Sequence, residues 1–147
     1  MQLPMSRAMY PEELVQPMRA ELTQIGFEEL RSPPEVDEKL TEKGTTLVVV
    51  NSICGCAARM ARPAVRMALQ ESPAKPDHLT TVFAGQEKEA TDRARSYFTG
   101  YPPSSPSIAL LRDGEIVFML ERWQIEGRPA PDIARDLVSA FEEHCAT

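Results

Sequence analysis

Two thiols separated by one glycine, Cys54-Gly55-Cys56, are the residues of this chain best suited to chemistry. They follow a β-branched apolar run, Thr45 to Asn51, and precede a stretch with helical periodicity, Ala57 to Gln70. A cysteine at such a junction meets unpaired backbone N–H groups and the positive end of a helix dipole, and both favour thiolate over thiol. A thiolate attacks disulfides and binds metals. Cys54 lies nearer the strand end, so it is expected to be the more exposed sulfur and the attacker. Gly55 permits a tight turn and a close approach of a substrate sulfur. A disulfide across Cys-x-Cys closes a small ring under strain, which implies a labile, oxidising bond suited to exchange or isomerisation. Arg59, on the following helix, is the expected cation beside Cys54.

Other readings of the pair compete. Two buried cysteines can pack as small hydrophobes. A zinc site needs four ligands, and beyond the pair the sequence offers Cys145, His78 and His144, none at motif spacing from Cys54. An iron–sulfur cluster needs about four cysteines, more than this chain has. Cys145 reads as an incidental surface thiol, and His78 and His144 as ordinary surface residues. A second informative segment is Gly100 to Pro106, a proline-rich loop entering a strand. A proline at a strand entry can hold a cis bond and expose the backbone before it. Tyr97, Phe98 and Tyr101 beside it either line a groove or join the core.

The elements that must hold these residues follow from periodicity and punctuation. Leu14, Val15, Met18, Leu22 and Ile25 recur at helical spacing with Pro17 inside, and Gly26 ends the helix. Phe27 to Arg31 is a short strand candidate, and Ser32-Pro33-Pro34-Glu35 has the form of a capping box opening a helix through Leu40. Thr45 to Asn51 has no alternation, which suits a strand covered on both faces. Pro63 is expected to kink the next helix. Leu79 to Ala84 is a strand and Gln86 to Phe98 a helix. Ser107 to Arg112 and Glu115 to Glu121 form a hairpin across Asp113-Gly114. Pro131 opens a last helix with Ile133, Leu137, Val138 and Phe141 on one face. Alternating strands and helices followed by a hairpin predict one α/β domain with a mixed sheet and helices on both faces.

Length and composition agree with that picture. The chain has 147 residues, 42% apolar and 26% charged, enough to bury a core without staples. Its formal charge of −6 argues against nucleic acid or an anionic membrane as partner. No stretch approaches the roughly 18 apolar residues of a membrane span, and Met1 to Tyr10 lacks the apolar core of a signal peptide. The expectation is a cytoplasmic protein in a reducing compartment, where a close cysteine pair is catalytic or metal-binding.

The element order, with a cysteine pair opening the second core helix and a proline before the hairpin, resembles the thioredoxin fold. Three departures stand out. The pair is Cys-x-Cys, with Ala57 at the usual second-cysteine place. Ile53 replaces the usual tryptophan, and Val48 stands where thioredoxins bury an acid. Pro63 also lies one residue farther from Cys54 than the helix proline of thioredoxins.

A more specific resemblance is to the bacilliredoxin family. It rests on Pro17-Met18-Arg19, Glu21-Leu22-Thr23, Asn51 through Ala57, Phe83-Ala84-Gly85-Gln86, Tyr101 through Ser107 and Ile125-Glu126-Gly127-Arg128. The resemblance implies a thioredoxin-like core over residues 27–147 with an N-terminal helical extension over 1–26. It implies a thiol–disulfide oxidoreductase that strips bacillithiol from mixed disulfides on client proteins. Cys54 would attack and Cys56 resolve. Gly55, Ser105 and a cis Pro106 would contact the substrate. No cofactor or metal of its own is implied; reducing equivalents would come from bacillithiol and a separate NADPH-dependent reductase. Two alternatives remain at this stage: a protein disulfide isomerase, and a non-catalytic redox sensor gated by the pair.

Overall fold

A computed structural model describes residues 7–146; positions 1–6 of the expected N-terminal extension lie outside the described residues. Helix α1 (Glu12–Thr23) leads into β1 (Glu28–Glu29), α2 (Pro33–Leu40) and β2 (Thr45–Asn51). A π-helical turn (Ala57–Ala61) runs into α3 (Arg62–Glu71). Next come β3 (His78–Phe83), α4 (Lys88–Arg95), β4 (Ser107–Arg112) and β5 (Glu115–Leu120), then α5 (Arg122–Ile125) and α6 (Ala130–His144).

The five strands form one sheet in the order β1-β3-β2-β4-β5. β2 runs parallel to β3, with Thr46 opposite His78 and Asn51 opposite Phe83. It runs antiparallel to β4, with Thr45 opposite Arg112 and Val50 opposite Ser107. The apolar run in β2 is buried throughout because both sheet faces are covered. Leu47 and Val49 pack with residues of α1, α3 and α6, whereas Val48 and Val50 pack with residues of α2 and α4. This two-faced burial puts the C-terminal end of β2 at the middle of the sheet edge, where the chain turns into the cysteine pair. The hairpin turn has Asp113 at φ 51° and Gly114 at φ 84°, the pair of left-handed residues that a two-residue turn needs.

Several boundaries differ from the sequence reading. β1 keeps only two residues of the expected strand. The expected capping box at Ser32 does not form. Glu35 reaches back to the Arg31 N–H (3.0 Å) and accepts from Ser32 Oγ (2.9 Å), so the hydroxyl is spent as a donor. α4 ends at Arg95, because the Ser96 N–H is shared between the carbonyls of Asp92 and Arg93 and the chain tightens there. Helix α5 has no counterpart among the expected elements; four residues are too few to show a period.

The kink expected at Pro63 takes the form of the π turn. Pro63 has no N–H to give Arg59, and its ring would crowd that carbonyl in a regular helix. The turn upstream instead closes through the Arg62 N–H to the Ala57 carbonyl, five residues back. A π turn accommodates one extra residue ahead of the proline.

Buried charge fastens α1 to the sheet. Arg19, 2% exposed, bonds Glu12 (2.7 Å), Glu29 (3.1 Å) and Glu87 (2.7 Å), and its guanidinium lies 5.2 Å from the Phe83 ring centroid.

Candidate active site

The pair sits where β2 hands over to the helix. Asn51, the last residue of β2, is buried and anchors this turn. Its side-chain oxygen accepts from the Ser52 N–H (2.9 Å) and from Arg62 Nη1 (2.9 Å), and its amide donates to the Met18 carbonyl (3.1 Å). Arg62, itself buried, also donates to the Ser52 carbonyl (3.0 Å) and pairs with Glu21 (3.2 Å). Ser52 Oγ then accepts from the Cys54 N–H (2.9 Å). The Cys54 carbonyl takes the N–H groups of Ala57 and Ala58 (3.0 and 3.1 Å), so the helix starts at the pair itself.

The two sulfurs share this helix start. The Cys56 N–H points at Cys54 Sγ (3.3 Å). Both cysteines are free thiols and both are half-buried. The expected contrast in exposure is therefore small; their electrostatics separate them. Burial works against a charged Cys54, but it is outweighed by the Cys56 N–H, the Cys56 thiol, the Arg122 guanidinium and the Ala57 N–H, which together hold the Cys54 thiol below its ordinary value. Burial pushes the Cys56 thiol up, and so does the neighbouring Cys54 sulfur. Of the two sulfurs, Cys54 is therefore the one that ionises first.

The cation near the pair is Arg122, not Arg59. Arg59 is exposed on the π turn, and among the described residues nothing ties it to either sulfur. Arg122 opens α5, 66 residues beyond Cys56 in sequence, and reaches across with Nη2 4.0 Å from Cys56 Sγ. Its Nη1 donates to the Ser105 carbonyl (3.3 Å), its backbone N–H to Ser104 Oγ (3.3 Å), and its Nε faces Glu126 (3.3 Å). The Ser105–Pro106 bond is cis. Pro106 is buried at the entry to β4, and Ser105 lines the same cleft as Cys54. Arg95 donates to the Ser104 carbonyl (3.2 Å), so two arginines hold this loop.

Gly55 is exposed at the mouth of the turn. Its φ is not left-handed, and a Cβ there would meet no heavy atom within 4 Å. The turn does not demand glycine for its backbone; its absent side chain leaves the front of the two sulfurs open. Tyr97 is half-buried with its hydroxyl on Asp37 (2.6 Å), Phe98 is in the core, and Tyr101 is exposed; none of the three lines the Cys54 cleft.

Cys145 is buried, not a surface thiol, and desolvation raises it; it contacts Thr45. His78 faces Glu42 and the Lys43 carbonyl, and His144 faces Arg112. These groups gather at the start of β2, whereas the pair lies past its end. Seven strand residues at about 3.3 Å each separate the two groups by roughly 20 Å. The zinc alternative that combined them has no geometry to support it.

Arg122, Arg62, Asn51 and Arg95 were not assigned to the site from sequence. Arg62 is the only one of them at helical distance from the pair, and an arginine on a helix reads as solvated unless its burial is known.

Removing the Arg122 charge is expected to raise the Cys54 thiol toward its ordinary value. Arg122 is partly exposed, so the interaction is screened. For Arg122→Gln we expect Cys54 alkylation at neutral pH to slow roughly two- to tenfold, the range of a screened charge a few ångströms away. Above the midpoint the variant and wild-type rates should converge. Iodoacetamide rates against pH check this; a uniform slowing at all pH values would assign the effect to access instead.

A thioredoxin-type sheet carrying a polarised cysteine pair beside a cis-proline loop defines a thiol–disulfide redox enzyme of the thioredoxin fold. The fold likeness is direct. Thioredoxin from Malassezia sympodialis superposes with a TM-score of 0.57 at 13% identity, covering 82% of this chain and 92% of that one. Thioredoxin from Fasciola hepatica gives 0.56 at 18% identity, covering 80% and 99%.

Sequence comparison is narrower. Residues 10–145 match the family described as Disulphide isomerase. A bacilliredoxin of Salinibacter ruber is 57% identical over 92% of this chain and 81% of its own length. One of Geobacillus kaustophilus is 53% identical over 92% and 94%. The chain belongs to the bacilliredoxin family. No helix among the described residues is long and apolar enough to cross a membrane.

Proposed function

We propose that this protein removes bacillithiol from mixed disulfides on cytoplasmic client proteins, with Cys54 attacking and Cys56 resolving. The observation that carries the reading is the asymmetry of the pair: Cys54 is held below, and Cys56 above, the ordinary thiol value. The Cys54 thiolate attacks the bacillithiol sulfur. One S–S bond breaks, one forms, and the client leaves as a thiolate. Cys56, losing its proton, then attacks Cys54 Sγ, forming the Cys54–Cys56 disulfide and releasing bacillithiol. Alternatively, a second bacillithiol attacks the adduct and leaves as bacillithiol disulfide. Reduction of the Cys54–Cys56 disulfide takes two electrons from two further thiols. Gly55, Ser105 and Pro106 form the surface against which the mixed disulfide lies, with the protein needing no cofactor of its own.

The direct test mixes reduced protein with a client carrying one bacillithiol and follows both by intact mass. The client should lose the bacillithiol mass within the time the same protein leaves a scrambled disulfide substrate largely unrepaired. The reverse order of rates would favour the isomerase reading. A stable complex with an oxidised partner, without turnover, would favour a redox sensor.

A further inference from the structure

The cleft in front of Cys54 has a wall that the redox chemistry described above does not use. The segment before α1 crosses the end of β3 and is latched there. The Met9 N–H donates to the Gly85 carbonyl (2.7 Å). Gln86, 4% exposed, accepts from the Tyr10 N–H (2.9 Å) and donates to the Tyr10 carbonyl (3.0 Å). Its buried amide thus serves both backbone groups of one residue. Gly85 has a φ of +93°, and a Cβ there would stand 2.8 Å from Tyr10 Cε2, so glycine is needed both for the turn and for the ring laid over it. The Arg19 ion pairs to Glu12 and Glu87 fasten the same two segments one step farther from the cleft.

The resulting cleft has a volume of about 280 Å³, near the lower end of small-molecule sites. Met9 and Tyr10 of the strap line it together with Cys54, Ser105 and Arg122. Met9 is 71% exposed, a large apolar side chain at the rim. A volume of this size suits one small thiol. Arg122, whose Nε also faces Glu126 (3.3 Å), gives the lining a cation, and the strap gives it apolar surface.

From this arrangement we infer that the Met9–Tyr10 strap is a specificity-determining wall, and that the cleft takes the low-molecular-weight half of a mixed disulfide when that half carries a negative charge. Its charge meets Arg122, its uncharged part lies against Tyr10 and Met9, and its sulfur faces Cys54 Sγ. The client protein remains outside as the leaving group. This rests on the exchange reading above, but not on the identity of the small thiol. The step is the same one: Cys54–S⁻ displaces the client thiolate from the small thiol's sulfur, with no net electron transfer.

The experiment uses one client cysteine blocked in turn with 3-mercaptopropionate, 2-mercaptoethanol and cysteamine, which are anionic, neutral and cationic. Each rate is divided by the rate for the same adduct with dithiothreitol, which removes intrinsic reactivity. For wild type, normalised kcat/KM is expected to fall in the order anionic, neutral, cationic, with a total spread of about tenfold or more. In Tyr10→Ala, KM for the anionic adduct should rise about fivefold or more, with kcat and the pH profile of Cys54 alkylation unchanged. Gln86→Ala, which frees the strap, should give the same pattern, and Tyr10→Ala carries the test if the buried glutamine cannot be replaced without unfolding. An unchanged KM in folded Tyr10→Ala, a flat charge order in wild type, or a shifted alkylation profile in the variant would each overturn the inference. Failure to strip bacillithiol by a wild type that still shows the charge order would remove bacillithiol as the substrate and leave the strap's role standing.

Discussion

Cys54→Ser is expected to abolish stripping of a bacillithiolated client, with a loss of at least a thousandfold, because a hydroxyl at this position supplies no nucleophile at neutral pH. Cys56→Ala is expected to do something different. It loses the Cys56 thiol's share in lowering Cys54 but keeps the N–H at position 56, the Arg122 guanidinium and the Ala57 N–H on that sulfur, so the first attack still proceeds. It loses the resolving sulfur, so the Cys54 adduct builds up to about one per protein until a second small thiol is supplied. Intact mass after mixing with client distinguishes the two. An adduct on Cys56 in Cys54→Ser, with Cys56→Ala unmodified, would reverse the roles. The pH dependence carries a sign as well. Cys54 is held below the ordinary thiol value, so the first step should already be fast where a free cysteine is mostly protonated, and should lose rate as pH falls through the Cys54 midpoint.

Arg19→Met should be the most destabilising single change outside the apolar core. It leaves Glu87 and Glu29, which are 15% and 21% exposed, facing one another and Glu12 without their common partner. Removing one member of a buried ion pair costs about 3–5 kcal/mol, and the half-exposed Glu12 places this network at about the lower figure. With a urea slope of about 1–3 kcal/mol per molar, the unfolding midpoint should fall by about 1–3 M. Glu87→Gln in the Arg19→Met background should restore part of the loss, since it removes an uncompensated charge. Arg19 holds the Glu12 carboxyl below its ordinary value, chiefly by hydrogen bonding. That contribution is complete above the unfolded carboxylate range and is lost as pH falls through the folded Glu12 value. The gap between wild type and variant should therefore narrow in acid. A gap that widened below pH 4 would contradict this account.

Both predictions draw on residues whose placement was legible to different degrees. The β2 run, the hairpin at Asp113-Gly114 and the position of Cys54-Gly55-Cys56 at a strand–helix junction were all readable in sequence. Each depends on neighbours within a few residues: β-branched apolar side chains that suit a doubly covered strand, two residues that accept positive φ, and a helix whose start exposes N–H groups. The resemblance to bacilliredoxins added the fold and family. Arg59 was a natural choice for the cation because it stands on the same helix. The structure leaves it exposed on the π turn, and Arg122 reaches the pair instead. Arg122 was not legible, because its helix has four residues and its link to Cys56 spans 66 positions.

The sequence by itself determined the covered β2 strand, the cysteine pair at its end, a proline entering β4 and an α/β order of elements. These follow from local sterics and from which side chains must leave water. Only the tertiary structure decided which charges meet at the pair. Arg62 and Asn51 are buried beneath it, Arg122 reaches it from α5, and the Met9–Tyr10 strap walls its cleft. Charges and hydrogen-bonding groups far apart in sequence act on a thiol only when packing brings them within a few ångströms and removes the intervening water. Periodicity reports which face of an element is buried; it carries no term for what stands across the gap.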